Sequence, residues 1–276
     1  MPPRLSRLAL PAALALCAAA GTSQAQEELP LTPPPATVWE GAFGLSASYR
    51  PEYAGAAKQI FKVSPALFLR YGRFTITNAS GFVTRRADDV VRGLGMDMVR
   101  NEQLRLNLAL RFDAGRGENT SDALKGLGNI KPTIRARLQA SWKLQGPWRA
   151  GASWSLDAIH RGGGNFGDVS GGWEQRIAPD TVVSVGSSLS VGAQRYMQSY
   201  FGITEEQASR TTYPVFKPGA GVRDVTAYTN LRHDIGSEWI VLGGASTSRL
   251  LGQAAASPLT GRKTSWGINV GLARRF

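Results

Sequence analysis

Apolar side chains recur at every second position over long stretches of this chain, and the alternation is clear at its end. From Ser265 to Phe276 one face carries Trp266, Ile268, Val270, Leu272, Arg274 and Phe276. The other carries Ser265, Gly267, Asn269, Gly271, Ala273 and Arg275. A period of two is that of a β-strand with one apolar face. The same period runs through Trp39, Phe43, Leu45, Ala47 and Tyr49, and through Phe61, Val63, Leu67, Leu69 and Tyr71. A tight turn at Tyr71-Gly72-Arg73 leads into Phe74, Ile76 and Phe82, followed by a weaker segment with Val90, Leu94, Met96 and Met98. Leu104, Leu106, Leu108, Leu110 and Phe112 alternate with Arg105, Asn107, Ala109, Arg111 and Asp113. Ile134 to Leu144 and Trp148 to Leu156 repeat the pattern across Gln145-Gly146-Pro147. Later segments centre on Val169 and Trp173, Val183 to Val191, Val225 to Leu231, and Trp239 to Ala245. This predicts about twelve strands of roughly ten residues.

The connections predict how those strands close. Tyr71–Arg73, Arg100–Gln103, Gln145–Pro147, Ala178–Thr181 and Asp234–Ser237 are short. Arg50–Gln59, Ala114–Ile130, His160–Gly167, Arg195–Gly221 and Leu251–Lys263 are long; only Arg86–Asp89 breaks the rule. Alternating short turns and long loops are the pattern of periplasmic turns and extracellular loops in an outer-membrane barrel. Tyr71, Phe74, Trp142, Trp148, Trp239 and Phe276 fall beside the short turns and would form an aromatic girdle at one membrane interface. The expected fold is therefore all-β, a transmembrane antiparallel β-barrel of about twelve strands over residues 38–276. Its last strand must close on its first, since an open edge in lipid leaves backbone groups unpaired. A terminal aromatic such as Phe276 resembles the C-terminal signal by which the barrel-assembly machinery recognises bacterial outer-membrane barrels.

The amino end reads as processing and spacing. Arg4 and Arg7 precede a short apolar run, and Ser23-Gln24-Ala25 is a small-x-small cleavage site, so residues 1–25 are expected to be a signal peptide and the mature chain to start at Gln26. Residues 26–37 contain Pro30, Pro33, Pro34 and Pro35 and are expected to form an extended periplasmic tether. Cys17, the single cysteine, lies in the signal segment, which excludes thiol catalysis, disulfides and zinc–thiolate sites from the mature chain. Without Arg4 and Arg7 the mature chain keeps 30 of the 32 basic residues against 20 acidic ones. Export argues against nucleic acid as the partner of that charge; a polar lumen and lipopolysaccharide phosphates suit it better.

The inward-facing set Arg105, Arg111, Arg135, Arg137, Lys143 and Arg149 forms a basic ladder on the polar face of three successive strands. Asp113, Asp157 and Asp224 are candidate partners. The ladder reads either as structural filling of a narrow lumen or as the lining of an anion-preferring pore. His160 and His233 lie at opposite strand ends and cannot share a site, Asp88 and Asp89 point to opposite faces, and Gly162-Gly163-Gly164 reads as a flexible loop. No catalytic residues, cofactor site or metal-ligand cluster is expected.

The loop from Arg195 reads Tyr196-Met197-Gln198-Ser199-Tyr200-Phe201-Gly202-Ile203-Thr204, and closes through Pro218-Gly219-Ala220-Gly221-Val222-Arg223-Asp224-Val225. Together with Tyr53-Ala54-Gly55, Arg70-Tyr71-Gly72, Gly93-Leu94-Gly95, Leu124-Lys125-Gly126-Leu127-Gly128 and Ser257-Pro258-Leu259 it resembles the MipA/OmpV family of MltA-interacting outer-membrane proteins. Ala56 stands where that family more often has serine. The resemblance implies an outer-membrane barrel, in some members a scaffold joining a murein hydrolase to a murein synthase, in others a surface adhesin. From the residues themselves, Thr204 and Gln207 form a capping box that predicts a short helix from Glu205. Tyr196, Tyr200, Phe201 and Ile203 are too apolar for a solvated loop. They are expected to fold over the barrel mouth as a lid, or else to form a patch against lipopolysaccharide or a partner.

Overall fold

The computed structural model describes residues 39–78 and 92–276. Twelve antiparallel strands close into one barrel. They are β1 (Trp39–Pro51), β2 (Gln59–Tyr71), β3 (Phe74–Thr77), β4 (Gly93–Arg100), β5 (Leu104–Asp113), β6 (Thr133–Lys143), β7 (Trp148–Asp157), β8 (Phe166–Ala178), β9 (Thr181–Gly192), β10 (Gly221–Ile235), β11 (Trp239–Leu250) and β12 (Thr264–Arg275). Each strand pairs with its sequence neighbours, and β1 pairs with β12 from Ala42↔Arg275 to Tyr49↔Ile268. The up-and-down order needs no crossover, so each connection joins neighbouring strands. The break expected at Arg86–Asp89, the strand positions Phe82 and Val90, and the whole of residues 1–37 lie outside the described residues.

The alternation in the sequence becomes two chemically different surfaces. The outward residues include Phe43, Phe61 at 64 % exposure, Phe112 at 69 %, Leu138, Val169 and Val270. An apolar belt of this kind on the outer wall is what lipid solvates, and water would not. No helix among the described residues is long and apolar enough to cross a membrane. Crossing is left to strands, which satisfy their backbone groups only by closing. Aromatic rings flank the belt at the short-turn end, where Trp39 and Tyr71 lie 4.8 Å apart beside Trp148 and Trp239. Tyr49 and Trp266, 5.6 Å apart, stand at the long-loop end. The girdle is thus two-sided, where sequence order had drawn attention to one side.

The closing seam is built from specific residues. The Phe276 amide donates to the Gly41 carbonyl at 3.0 Å, and the Gly41 amide donates to the Phe276 carbonyl at 3.2 Å. The Phe276 ring lies over Gly41, where an added Cβ would stand 2.3 Å from ring carbons. The last residue therefore extends the β1–β12 ladder past Arg275 and covers a position that only glycine leaves open.

The long loops carry the remaining regular structure. A pair of one-turn 3₁₀ helices (Glu118–Thr120 and Asp122–Leu124) lies in the β5–β6 loop. Helices α1 (Gln194–Phe201) and α2 (Glu205–Ser209) lie in the β9–β10 loop, and α3 (Gly252–Ala256) in the β11–β12 loop. The helix expected from Glu205 is α2. The other two helices were not foreseen, although Tyr196, Met197, Tyr200 and Phe201 are spaced as one face of a helix.

Deleting Phe276, or replacing Gly41 by valine, is expected to lower the amount of folded barrel in the outer membrane. The measurement is the fraction of unboiled protein that migrates as the compact band on a detergent gel. Normal levels of that band in both variants would contradict the role given to the seam.

Candidate functional site

With lipid outside, the lumen is where polar chemistry collects, and its wall is not uniform. In the sector β11–β12–β1–β2 an apolar cluster forms among the inward residues. Phe68 and Ile240 are fully buried and pack with Leu242, Ala42, Ala66 and Ala273 near the short-turn end. The Arg70 guanidinium lies 5.5 Å over the Phe68 ring. This cluster fills its side of the lumen as a protein core would. The sequence hid it, because Leu67-Phe68-Leu69 and Trp239-Ile240-Val241-Leu242 are continuous apolar runs in which neighbours face opposite ways.

The opposite sector holds the basic ladder. Arg105 donates to Asp97 through Nε at 2.9 Å and Nη2 at 3.1 Å, and Asn107 adds a bond to the same carboxylate at 2.9 Å. Arg135 donates through Nε to Asp113 at 2.5 Å. Arg137 reaches Asp168 at 3.0 Å, whose oxygen also accepts from Ser153 at 2.8 Å. Arg149 pairs with Glu174 at 3.0 Å, beside Lys143 in the β6–β7 register. Asp113 is therefore a ladder partner as expected. Asp157 faces Arg135 in the β6–β7 register without a hydrogen bond to it, and Asp224 lies outside the ladder. Asp157 stands where β7 turns into the glycine loop, so it accepts from the Thr133 hydroxyl and from the backbone amides of Gly163 and Arg161. Asp224 pairs with its neighbour Arg223. The acids that do serve the ladder, Asp97, Asp168 and Glu174, lie one or two strands away, a distance in sequence that periodicity does not reveal. Arg111 has no ion pair or hydrogen bond among the described residues, and its Nε is buried without an acceptor.

Between the ladder and β10 lies a cavity of about 420 Å³. Its wall on β8 and β9 is made of Ser170, Gly172, Ser184, Ser188 and Ser190, and Tyr228 and Asn230 face it from β10. Small inward side chains leave the space, and their hydroxyls keep it wet. The signal was present in the inward positions Ser184, Gly186, Ser188 and Ser190, which the stronger basic pattern overshadowed.

Helix α1 lies at the long-loop end, held to Arg223 of the cavity wall. Arg135 donates to the carbonyls of Gly164 at 2.6 Å and Gly163 at 3.2 Å, and its guanidinium lies 5.0 Å from the Phe166 ring and 6.0 Å from that of Tyr196. Arg223 lies on the same two rings at 5.6 and 5.5 Å and donates to the Tyr196 hydroxyl at 2.8 Å. Tyr196 stacks on Tyr200 at 4.6 Å. Arg116 donates to the Tyr200 carbonyl at 2.7 Å and the Ser199 carbonyl at 3.3 Å, a cation at the end of a helix where unpaired carbonyls collect. Burial raises the Tyr200 phenol above its ordinary pKa, so the ring stays neutral. Gly164 has φ +64°, and a Cβ there would meet the Tyr196 amide at 2.2 Å. The glycine run is thus a point of close approach for α1.

Apolar packing seats the helix. Met197 and Phe201 join Leu250 and Ala254, while Ile203 joins Leu124, Leu127 and Leu259. The capping box forms as expected, with Gln207 N–H to Thr204 Oγ1 at 3.2 Å and Thr204 N–H to Gln207 Oε1 at 2.9 Å. The Gln207 amide also donates to the Leu127 carbonyl at 2.6 Å, tying α2 to the β5–β6 loop. All five residues expected in a lid lie in this assembly. Tyr196, Tyr200, Phe201 and Ile203 pack into it, and Thr204 caps the helix that follows.

The two histidines stand apart. His160 is exposed in the β7–β8 loop, and His233 sits at the short-turn end against Thr181 at 2.9 Å. Among the described residues no three His, Cys, Asp or Glu side chains come together as a metal site.

Residues 43–276 match the family described as MltA-interacting protein MipA. No curated protein sequence matches the chain. Among solved structures, one titled a bacterial polysaccharide outer membrane secretin is 11 % identical, with 88 % of this chain and 100 % of that one covered at a TM-score of 0.41. The CymD monoaromatic hydrocarbon channel is 9 % identical, with 87 % and 88 % covered at 0.39. The outer membrane channel DcaP of Acinetobacter baumannii is 9 % identical, with 87 % and 96 % covered at 0.38. At these values the likenesses say nothing of function.

Replacing Arg135 by alanine removes the cation of Asp113, the donor to Gly164 and one face of the aromatic stack together. Breaking such a pair is expected to cost on the order of 3 kcal/mol, whereas Lys58→Ala, at a fully solvated pair with Asp122, leaves stability unchanged. Urea unfolding of the barrel refolded into lipid vesicles measures both. Equal stability of the Arg135→Ala variant and the parent would contradict the anchoring role.

Proposed function

Because the chain belongs to the MltA-interacting protein MipA family, we propose that this outer-membrane β-barrel is a non-catalytic scaffold for murein-remodelling enzymes. The observation that carries the reading is the obstructed lumen, filled in one sector and narrowed in the other. Apolar side chains occupy one sector, paired charges the other, and α1 is tied across the long-loop end by three arginines. A barrel closed in this way is suited to hold a position in the membrane and present a surface.

The surface available to a periplasmic partner is small. The short turns are a few residues each, well below the roughly 800 Å² per partner of a standard interface. The residues with reach are those of the tether, 26–37, at about 3 Å per residue when extended. Their prolines limit the ordering entropy lost on docking. In this reading a murein hydrolase or synthase binds through Glu27–Ala36, helped by the turn rims.

A second reading is a narrow, anion-preferring solute path. The hydroxyl-lined cavity of about 420 Å³ favours it, and it requires α1 to move aside.

Deleting Glu27–Ala36 is expected to leave the barrel inserted and heat-modifiable while abolishing co-purification of the murein enzyme. A truncated barrel that keeps its partner in full would make the tether a spacer and move the contact to the turns.

A further inference from the structure

Arg111 is the ladder member that the closed-lumen reading does not use. It stands third from the long-loop end of β5, directly across from Arg135 in the β5–β6 register. Arg137 lies two residues beyond Arg135 on the same face of β6, and Asp113 lies two residues beyond Arg111 on the same face of β5. That carboxylate is already taken by the Arg135 Nε and the Gly115 amide. Arg137 in turn is drawn to Asp168. Like charges on facing positions of neighbouring strands repel, and a buried charge is stable only when it is paired. Here the Arg135 guanidinium stands on the facing position, and the Arg111 Nε is buried with no acceptor among the described residues.

The inward neighbours of Arg111 on β4 and β5 are small. On the β4 side the neighbouring inward position is Gly93, with φ +112°; a Cβ there would stand 2.1 Å from the Leu110 carbonyl oxygen and 3.0 Å from the Arg111 Cα. Glycine is therefore required, because the β4 and β5 backbones meet there. The inward positions below are Gly95 and Ala109, both small. The Arg111 side chain is only partly buried, so its guanidinium remains reachable from the lumen.

We propose that Arg111, with Arg137 beside it on the next strand, is a binding site for a small oxyanion drawn from the aqueous lumen, of the phosphate or phosphomonoester class. A guanidinium presents N–H donors in a planar fork that matches two oxygens of such an anion. The anion supplies the charge that Asp113 cannot give twice. Lipid headgroups are excluded as the source, because Arg111 faces the lumen and its neighbours Leu110 and Phe112 face the lipid. The site stands whether or not the lumen conducts, so it is independent of both readings of function.

The test is isothermal titration of the full mature chain, refolded in detergent, with inorganic phosphate at constant ionic strength in a chloride background. The parent should bind phosphate saturably, one per barrel. Arg111→Gln should weaken binding at least about tenfold, the loss expected for charge-assisted hydrogen bonds, without lowering the yield of the compact band. Arg111→Lys keeps the charge but loses the fork and should bind several-fold more weakly than the parent. Arg149→Gln, whose guanidinium is held by Glu174, should bind as the parent does. Absence of saturable binding by the parent would mean that the chain neutralises Arg111 itself and would overturn the proposal. So would equal affinity in the parent and Arg111→Gln, or an equal loss in Arg149→Gln, either of which would mark a diffuse ionic effect.

Discussion

Backbone hydrogen bonding in hydrocarbon is the constraint on which the rest of this structure depends. A strand in lipid has no water to satisfy its amides and carbonyls, so each strand needs a partner on both sides and the sheet must return to its start. The β1–β12 pairing answers that need, and the reciprocal bonds between Gly41 and Phe276 extend it to the last residue. Once closure is fixed, the period-two alternation assigns every strand residue to lipid or to lumen. Arg137 and Asp168 are free to find each other only because both have been turned inward.

Closure also sets a problem of volume. Small eight-stranded barrels are filled by their own side chains, while sixteen or more strands leave a channel. Twelve strands lie between, and this chain deals with the interior unevenly. Phe68, Ile240 and Leu242 fill one sector as a soluble core would. Glycine and serine on β8 and β9 leave the other sector hollow, and its charges are neutralised in pairs across adjacent strands. Arg135 links these levels, since it closes an ion pair in the wall, holds the Gly163 and Gly164 carbonyls, and carries the rings of Phe166 and Tyr196. Helix α1 is thus fastened to the barrel wall by the same side chain that completes the ladder.

Much of this was legible in the sequence, and the rest was hidden for identifiable reasons. The strands were readable because Leu104 to Phe112 and Trp266 to Phe276 separate their two faces cleanly. Thr204 and Gln207 announced α2, because a capping box is local chemistry within four residues. The inward apolar cluster was not readable, since Phe68 and Ile240 sit inside runs where both faces are apolar. Of the candidate partners, Asp224 pairs outside the ladder with Arg223, and Asp157 faces Arg135 but bonds to loop amides. Which carboxylate meets which arginine depends on register across strands, and on backbone amides in the loops that compete for the same oxygens. Arg111 looked like any other rung; that it lacks a partner emerges only when the acids around it are seen to be taken.

The claim on which most rests is that α1 and the packed wall keep the lumen shut. Single-channel recording of the refolded chain in a planar bilayer measures this directly. A closed lumen gives a flat baseline for the parent, with current steps appearing once Gln194–Phe201 is excised. Steady open-pore steps from the parent, with α1 intact, would contradict it.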